Sequence, residues 1–171
     1  EKGHIDLIGS AYDVPVEDAE ANAVISSQVL EHLDNPQKAI QETARILKKN
    51  GLLICSFPFL YPIHAAPNDY SRISEYYMVK LLKENGLELI EQKRIGGFWY
   101  IIGMYLGMYL QNFDKGVLQK IKIIKLMSWF IRWFFLQVQR LEEFCLKMLK
   151  KKVENFSAQW TVNYVIVAKK I

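Results

Sequence analysis

The stretch from Asn22 to Phe57 limits the fold more than any other part of the chain. Asn22-Ala-Val-Ile-Ser26 is a short strand-type run, and Leu52-Leu-Ile-Cys-Ser-Phe57 is a second, ended by Pro58. Between them Asn35 is placed to cap a helix that Pro36 opens, with Ala39, Ile40, Ala44, Ile46 and Leu47 near helical spacing. Asn50-Gly51 predicts the left-handed stop of that helix. Strands that read as continuous apolar runs, separated by a helix, imply a parallel sheet covered on both faces.

The same alternation extends on both sides. His4–Gly9 reads as a short strand and residues 10–21 as a polar, acidic loop. Gln28–Leu33 leads into a turn, and a loop rich in Pro, His and Asn runs from Pro58 to Arg72. Ser74 to Asn85 is expected to be a helix capped by Ser74 and closed by Gly86, followed by a strand over Leu87–Arg94. The β-branched run Thr161–Ala168 predicts a last strand. The expected fold is α/β: part of a doubly wound, mainly parallel sheet with a helical insert.

The insert is marked by a change of composition after Gly96-Gly97. Phe98–Leu110 is almost wholly apolar, with Gly103 and Gly107 in GxxxG spacing, and 117–152 is a helical run dense in Trp, Phe and Ile. Lys122, Lys125, Ser128, Arg132, Gln139, Glu143 and Lys150 recur along it near the helical period. The expected organisation is thus 1–97 as core, 98–157 as insert and 158–171 as the final core strand. Charge follows the same division. Residues 1–114 carry 10 Lys/Arg against 15 Asp/Glu, net −5, whereas 115–152 carry 10 against 2, net +8. That distribution argues against nucleic-acid binding by the whole domain and points to a local attraction for something anionic. Phe98–Leu110, at 13 residues, is short of the ~20 that span a bilayer, and the later run is broken by Lys and Arg. Two readings stay open: a lid packed on the sheet, or an interfacial helix with Trp129 and Trp133 on a wide apolar face.

Cys55 and Cys145 form no CxxC pair and imply no disulfide framework, so a reducing, cytoplasmic setting is the default, with the insert at the inner face of a membrane in the interfacial reading. His4, His32 and His64 are scattered, and no metal-ligand spacing is read from them.

Three stretches carry the chemistry: Gly9-Ser-Ala-Tyr-Asp-Val-Pro15, Val29-Leu-Glu-His-Leu33, and Glu42-Thr-Ala-Arg-Ile-Leu-Lys-Lys-Asn-Gly51. In order and spacing they resemble the second half of a class I S-adenosylmethionine-dependent methyltransferase of the type 11 group. Asp69-Tyr-Ser-Arg72 and Lys83-Glu-Asn-Gly86 extend the resemblance, which covers about residues 4–95; it implies a Rossmann-like sheet in which the 161–168 run is the seventh strand, antiparallel and between its neighbours. The resemblance implies S-adenosylmethionine as cofactor, with Ser10, Ala11 and Tyr12 facing the adenine and Ser26, Ser27 and Gln28 lining the sulfonium end. Two departures stand out. Ser10 replaces the usual acid, and no Gly-rich GxGxG loop follows a strand in this chain. The chain is therefore expected to be the C-terminal portion of such a domain.

In open α/β sheets ligands bind beyond the carboxyl ends of the strands. The turns at 10–12, 26–32 and 58–72 all follow strands and should share one rim. There His32 is a candidate general base or a histidine bonded to backbone. Glu31 reads as a solvated or capping acid. His64, Tyr70 and Arg72 are candidates to bind the methyl acceptor, with an Asp69–Arg72 ion pair as the competing role of the arginine. Cys55 and Cys145 both read as small buried residues. The expected function is methyl transfer to a small or lipid-linked acceptor. Its rivals are a non-catalytic scaffold on a degenerate methyltransferase half, and a peripheral membrane protein acting through 98–152. An open sheet edge would favour a homodimer.

Overall fold

The structure, a computed structural model, describes residues 7–148 and 159–171. Its elements are β1 (Ala21–Ser27), α1 (Pro36–Ile46), β2 (Leu47–Pro58), α2 (Glu75–Glu84), β3 (Leu87–Ile95), α3 (Phe98–Gln111), α4 (Val117–Ile121), α5 (Ile123–Met148) and β4 (Asn163–Lys170). Most of the expected strand at 4–9 and the end of the expected 117–152 helix lie outside the described residues. Leu7–Gly9 are not strand.

The sheet order is β1-β2-β4-β3. β1 and β2 pair in parallel, joined by α1, and β4 runs antiparallel to β2. The last strand therefore lies between β2 and β3, as the family resemblance implies. Two parallel strands cannot be linked by a tight hairpin, which is why α1 intervenes. Asn35 caps α1 by accepting from the Lys38 amide at 3.1 Å, with Pro36 opening the helix. Ser74 does the same for α2 through the Tyr77 amide at 3.3 Å, and Gly86 follows in the left-handed region.

One boundary differs from the sequence reading. Leu47 is not the end of α1 but the first residue of β2, opposite Ala21. The register then jumps to Ala23 opposite Leu52, so Lys48–Gly51 form a bulge with Asn50 at φ 66°. A Cβ on Gly51 would lie 2.9 Å from the Lys48 carbonyl and 3.1 Å from that of Asn22, so only glycine fits the close approach.

The chain forms two compact units, Glu1–Arg94 with Asn163–Ile171, and Ile95–Val162. In the first, Leu53, Cys55 and Phe57 of β2 and Tyr164, Ile166 and Ala168 of β4 are buried with Ile40 of α1 and Leu81 and Leu82 of α2. Alternate residues of β4 point into this core, as a period of two requires. Burial pushes the Cys55 thiol up to about 12, the state of an inert packing residue.

In the second unit α3 packs along α5. The GxxxG spacing serves that contact: a Cβ on Gly103 would meet the Phe135 Cβ at 2.6 Å, and one on Gly107 the Arg132 side chain at 2.9 Å. Ser128, fully buried, donates to the Gly107 carbonyl at 2.8 Å. Ser128 and Gln139, two members of the polar series along this segment, are thus turned inward. Trp129, Phe130, Trp133 and Phe134 are exposed. The expected single run breaks at Lys122, which adopts φ 54° between α4 and α5. Cys145 is exposed rather than buried, since its face of α5 is not covered. Among the described residues no helix is long and apolar enough to cross a membrane.

Candidate functional site

The parallel pair sets up the site. Ser27 at the end of β1 is registered with Ser56 near the end of β2, and their hydroxyls lie 3.1 Å apart. The turns that follow both strands therefore leave the same rim. Gln28, at φ 53°, closes the corner: its amide donates to the Ser56 carbonyl at 3.0 Å and its side chain to the Ser56 hydroxyl at 3.1 Å. Ser26 is half-buried, and Ser27 and Gln28 are exposed.

A short 3-10 turn, Leu30–His32, follows. Its main chain grips the second loop, since the Glu31 carbonyl accepts from the Tyr70 amide at 2.8 Å. The His32 Nδ1 sits 2.6 Å from the Asn68 carbonyl. A carbonyl only accepts, so that nitrogen carries the proton and Nε2 keeps its lone pair. The Glu31 side chain is 1% exposed, and among the described residues neither carboxylate oxygen has a hydrogen-bond partner. The expectation of a solvated or capping acid is thereby overturned: the 3-10 turn rotates the side chain into the fold. It faces His32 Nε2 at 3.8 Å and His64 Nε2 at 3.9 Å. The two imidazoles meet edge to face, with centroids 5.0 Å apart.

The 58–72 loop is locked from within. The Asp69 carboxylate accepts from the His64 amide at 2.8 Å and from both terminal nitrogens of Arg72. The guanidinium beside it holds the Asp69 carboxyl well below the usual carboxylate range. Arg72 also donates to the carbonyls of Tyr61 and Pro62, at 3.1 and 2.9 Å. It thus makes the local ion pair that the sequence left open. A shallow cavity beside it is lined by Tyr61, Ile63, Asp69, Tyr70, Ser71 and Arg72. The Tyr70 side chain is exposed, and its hydroxyl donates to Asn68 at 3.2 Å.

The third turn joins the same rim from the other side. Ser10 accepts from the Tyr12 amide at 3.1 Å and so stabilises its own turn. The Tyr12 hydroxyl donates to Asp34 and accepts from the Asn35 amide. Those two residues directly follow the 28–33 turn, so the three turns converge. A cavity beside the 10–12 and 28–33 turns is lined by Ala11, Val24, Ser26, Val29 and Leu33 together with Ile40 and Thr43 of α1; the 58–72 loop does not line it. The loop behind is held by Arg45, which pairs bidentately with Glu42 and reaches Asp18 and the carbonyls of Val14 and Val16. Arg45 and the Val14 amide together keep the Glu42 carboxyl low.

Sequence reading placed His32 and His64 at this rim but saw no reason to join them to Glu31. The available signal was positional. Val29-Leu-Glu-His-Leu33 and His64 follow adjacent parallel strands, so their side chains reach the same place.

Residues 2–55 match the family described as a methyltransferase domain. No curated protein matches the chain. Among solved structures, a protein provisionally named a methyltransferase from Bacillus halodurans C-125 aligns with TM-score 0.53 and 18% identity, over 95% of this chain and 75% of its own. One provisionally named a sarcosine dimethylglycine methyltransferase, from Galdieria sulphuraria, gives TM-score 0.52 and 18% identity over 95% and 57%. The cyclase SpnF gives 0.51 and 14% over 95% and 54%. The chain thus spans little more than half the length of the latter two. At such identities the likeness shows the fold, and SpnF is named for a different reaction on that fold.

Proposed function

From a chain whose fold is that of the class I, Rossmann-like methyltransferases, we propose S-adenosylmethionine-dependent methyl transfer to a small or lipid-linked acceptor. The observation that carries this reading is the convergence of three turns above the ends of two adjoining parallel strands. Ser10, Ala11 and Tyr12 are assigned to the adenine side and Ser26, Ser27 and Gln28 to the sulfonium side. The fit is reasonable in shape. Ala11, Val24, Val29 and Leu33 give the cavity there an apolar lining suited to a purine face, with Ser26 as its hydroxyl. The Tyr12 ring contributes packing rather than its hydroxyl, which is committed to Asp34 and Asn35.

The bound cofactor would supply a methyl group on a positively charged sulfur, so the protein's task is to hold the acceptor in line and receive a proton. His64 and Tyr70 are assigned to the acceptor side. Arg72 contributes by fixing their loop through Asp69. His32 is the proton acceptor in this reading, because Nδ1 is bonded to the Asn68 carbonyl and Nε2 faces inward.

Titration calorimetry with S-adenosylmethionine on this chain and on a form extended upstream tests the proposal. Binding by the extended form, weakened by Ser26→Leu, is the expected result. Binding by neither form would favour a non-catalytic scaffold.

A second reading concerns the Ile95–Val162 unit, for which a membrane contact is proposed. The outward face of α5 carries Trp129, Phe130, Trp133 and Phe134 within a strongly basic segment. Co-sedimentation with anionic vesicles, lost in high salt, is the expected outcome; absence of pelleting with every lipid ends it.

A further inference from the structure

The Glu31 carboxylate is withdrawn from water, and among the described residues both of its oxygens lack a hydrogen-bond partner. A buried carboxylate left unpaired is costly, and folds retain one where a cation meets it. Two nitrogens close on it from different segments, His32 Nε2 at 3.8 Å and His64 Nε2 at 3.9 Å. The three donor atoms all lie within 4.8 Å of one another. The geometry points to a divalent transition-metal site formed by Glu31, His32 and His64.

The chemistry of the donors supports this assignment independently of the distances. A metal-binding histidine presents a bare nitrogen and usually donates its other N–H to a carbonyl or carboxylate, which fixes tautomer and ring orientation. His32 does this through Nδ1 and the Asn68 carbonyl at 2.6 Å. His64 has its Nδ1 3.3 Å from the Pro62 carbonyl and 3.5 Å from the Asp69 carboxylate. Arg72 Nη2 is also 3.5 Å from that nitrogen, but its two protons are directed to Pro62 and Asp69. In the neutral tautomer with the proton on Nδ1, which these carbonyl contacts accommodate, both Nε2 lone pairs face the acid. Ligand bonds of about 2.0–2.2 Å require the three side chains to close by less than an ångström.

Two histidines and one carboxylate suit zinc, iron, manganese or nickel, with further positions left for water or substrate oxygen. The opening is on the imidazole side, since the His32 and His64 side chains are 29% and 33% exposed against 1% for Glu31. In this arrangement His32 is a ligand, and its role as proton acceptor falls away. The site does not depend on methyl transfer, because every observation behind it concerns this chain's own side chains.

The test uses the whole chain, stripped with a chelator and dialysed separately against zinc and manganese chloride, with bound metal counted by mass spectrometry. One equivalent in the wild type, lost in Glu31→Gln and in His64→Ala, is expected. Asp69→Asn, which loosens the Arg72 pair and with it the loop that holds His64, should weaken binding by about 10–100-fold. Thermal unfolding keeps the test valid should a variant fold poorly. In chelator Glu31→Leu should melt above the wild type, since it replaces a buried carboxyl that lacks hydrogen bonds among the described residues with an apolar side chain; added zinc should raise the wild-type melting temperature and not the variant's. Uptake that persists in a Glu31→Gln/His64→Ala double variant, or no uptake by the wild type beyond that variant's level, overturns the proposal. S-adenosylmethionine binding on the same samples is read separately, so failure of either assignment is distinguishable from failure of the other.

Discussion

Arg45 illustrates how much one side chain fixes here. Its planar group meets Glu42 with two nitrogens and reaches Asp18 and two loop carbonyls with the same fork. Lysine has the charge but not the fork. Arg45→Lys is therefore expected to free the loop at 13–19, read as faster proteolytic cleavage there while the circular dichroism of the folded chain is unchanged. Equal cleavage rates would refute it. Two carboxyls add a pH dependence. Hydrogen bonds from Arg94 hold Glu75 low, as Arg45 does for Glu42. A folded pKa below the unfolded value contributes stability above that value, about 4.3 for glutamate, and the contribution is lost as pH falls through the folded one. The melting temperature should thus drop below about pH 4, with a shallower drop in Glu75→Gln. At this scale sequence reading did well where a residue acts on its own neighbours, as in Asn35, Ser74 and the Asp69–Arg72 pair. It misread Glu31, because burial is decided by a loop more than 30 positions away.

The elements were largely legible because their signals are local. Caps, a proline at a first turn and continuous apolar runs placed the start of α1, and both ends of α2, β1 and β3, to within a residue or two. Two boundaries were missed: the left-handed turn expected at Asn50-Gly51 lies in a bulge of β2 and not at the end of α1, which stops at Ile46, and the second helical run breaks where Lys122 enters the left-handed region between α4 and α5. Lysine gives no warning of that conformation. Local signals also carry testable energies. Asn35→Ala removes the bond to the Lys38 amide and should cost about 0.5–2 kcal/mol in denaturant unfolding. Gly103→Ala pushes a methyl against Phe135 and should cost about 1–3 kcal/mol through the α3–α5 contact. A neutral or stabilising Gly103→Ala would mean that the helices separate without penalty and that the GxxxG spacing is incidental.

At the scale of the whole molecule, alternating strands and helices predicted a parallel sheet, and the last strand's place between two earlier ones was expected from resemblance rather than from any local cue. What no periodicity encodes is which strand is left at the edge. β1 holds that position among the described residues, pairing only with β2. Among the described residues no strand pairs with its other side, and Ile25 is 74% exposed. Native edges are commonly protected by charges, proline or a bulge directed away. β1 has no charged residue and no proline, and its one irregularity lies at Ala21–Ala23, away from Ile25. Such an edge favours pairing with a second copy, so the chain should associate as its concentration rises. Ile25→Lys places a charge on the exposed position and should return it to monomer without changing the Ser27–Ser56 contact that shapes the rim. Analytical ultracentrifugation of both forms decides the matter. A wild type that stays monomeric at every concentration, or a variant that associates equally well, would show that β1 is not a pairing surface.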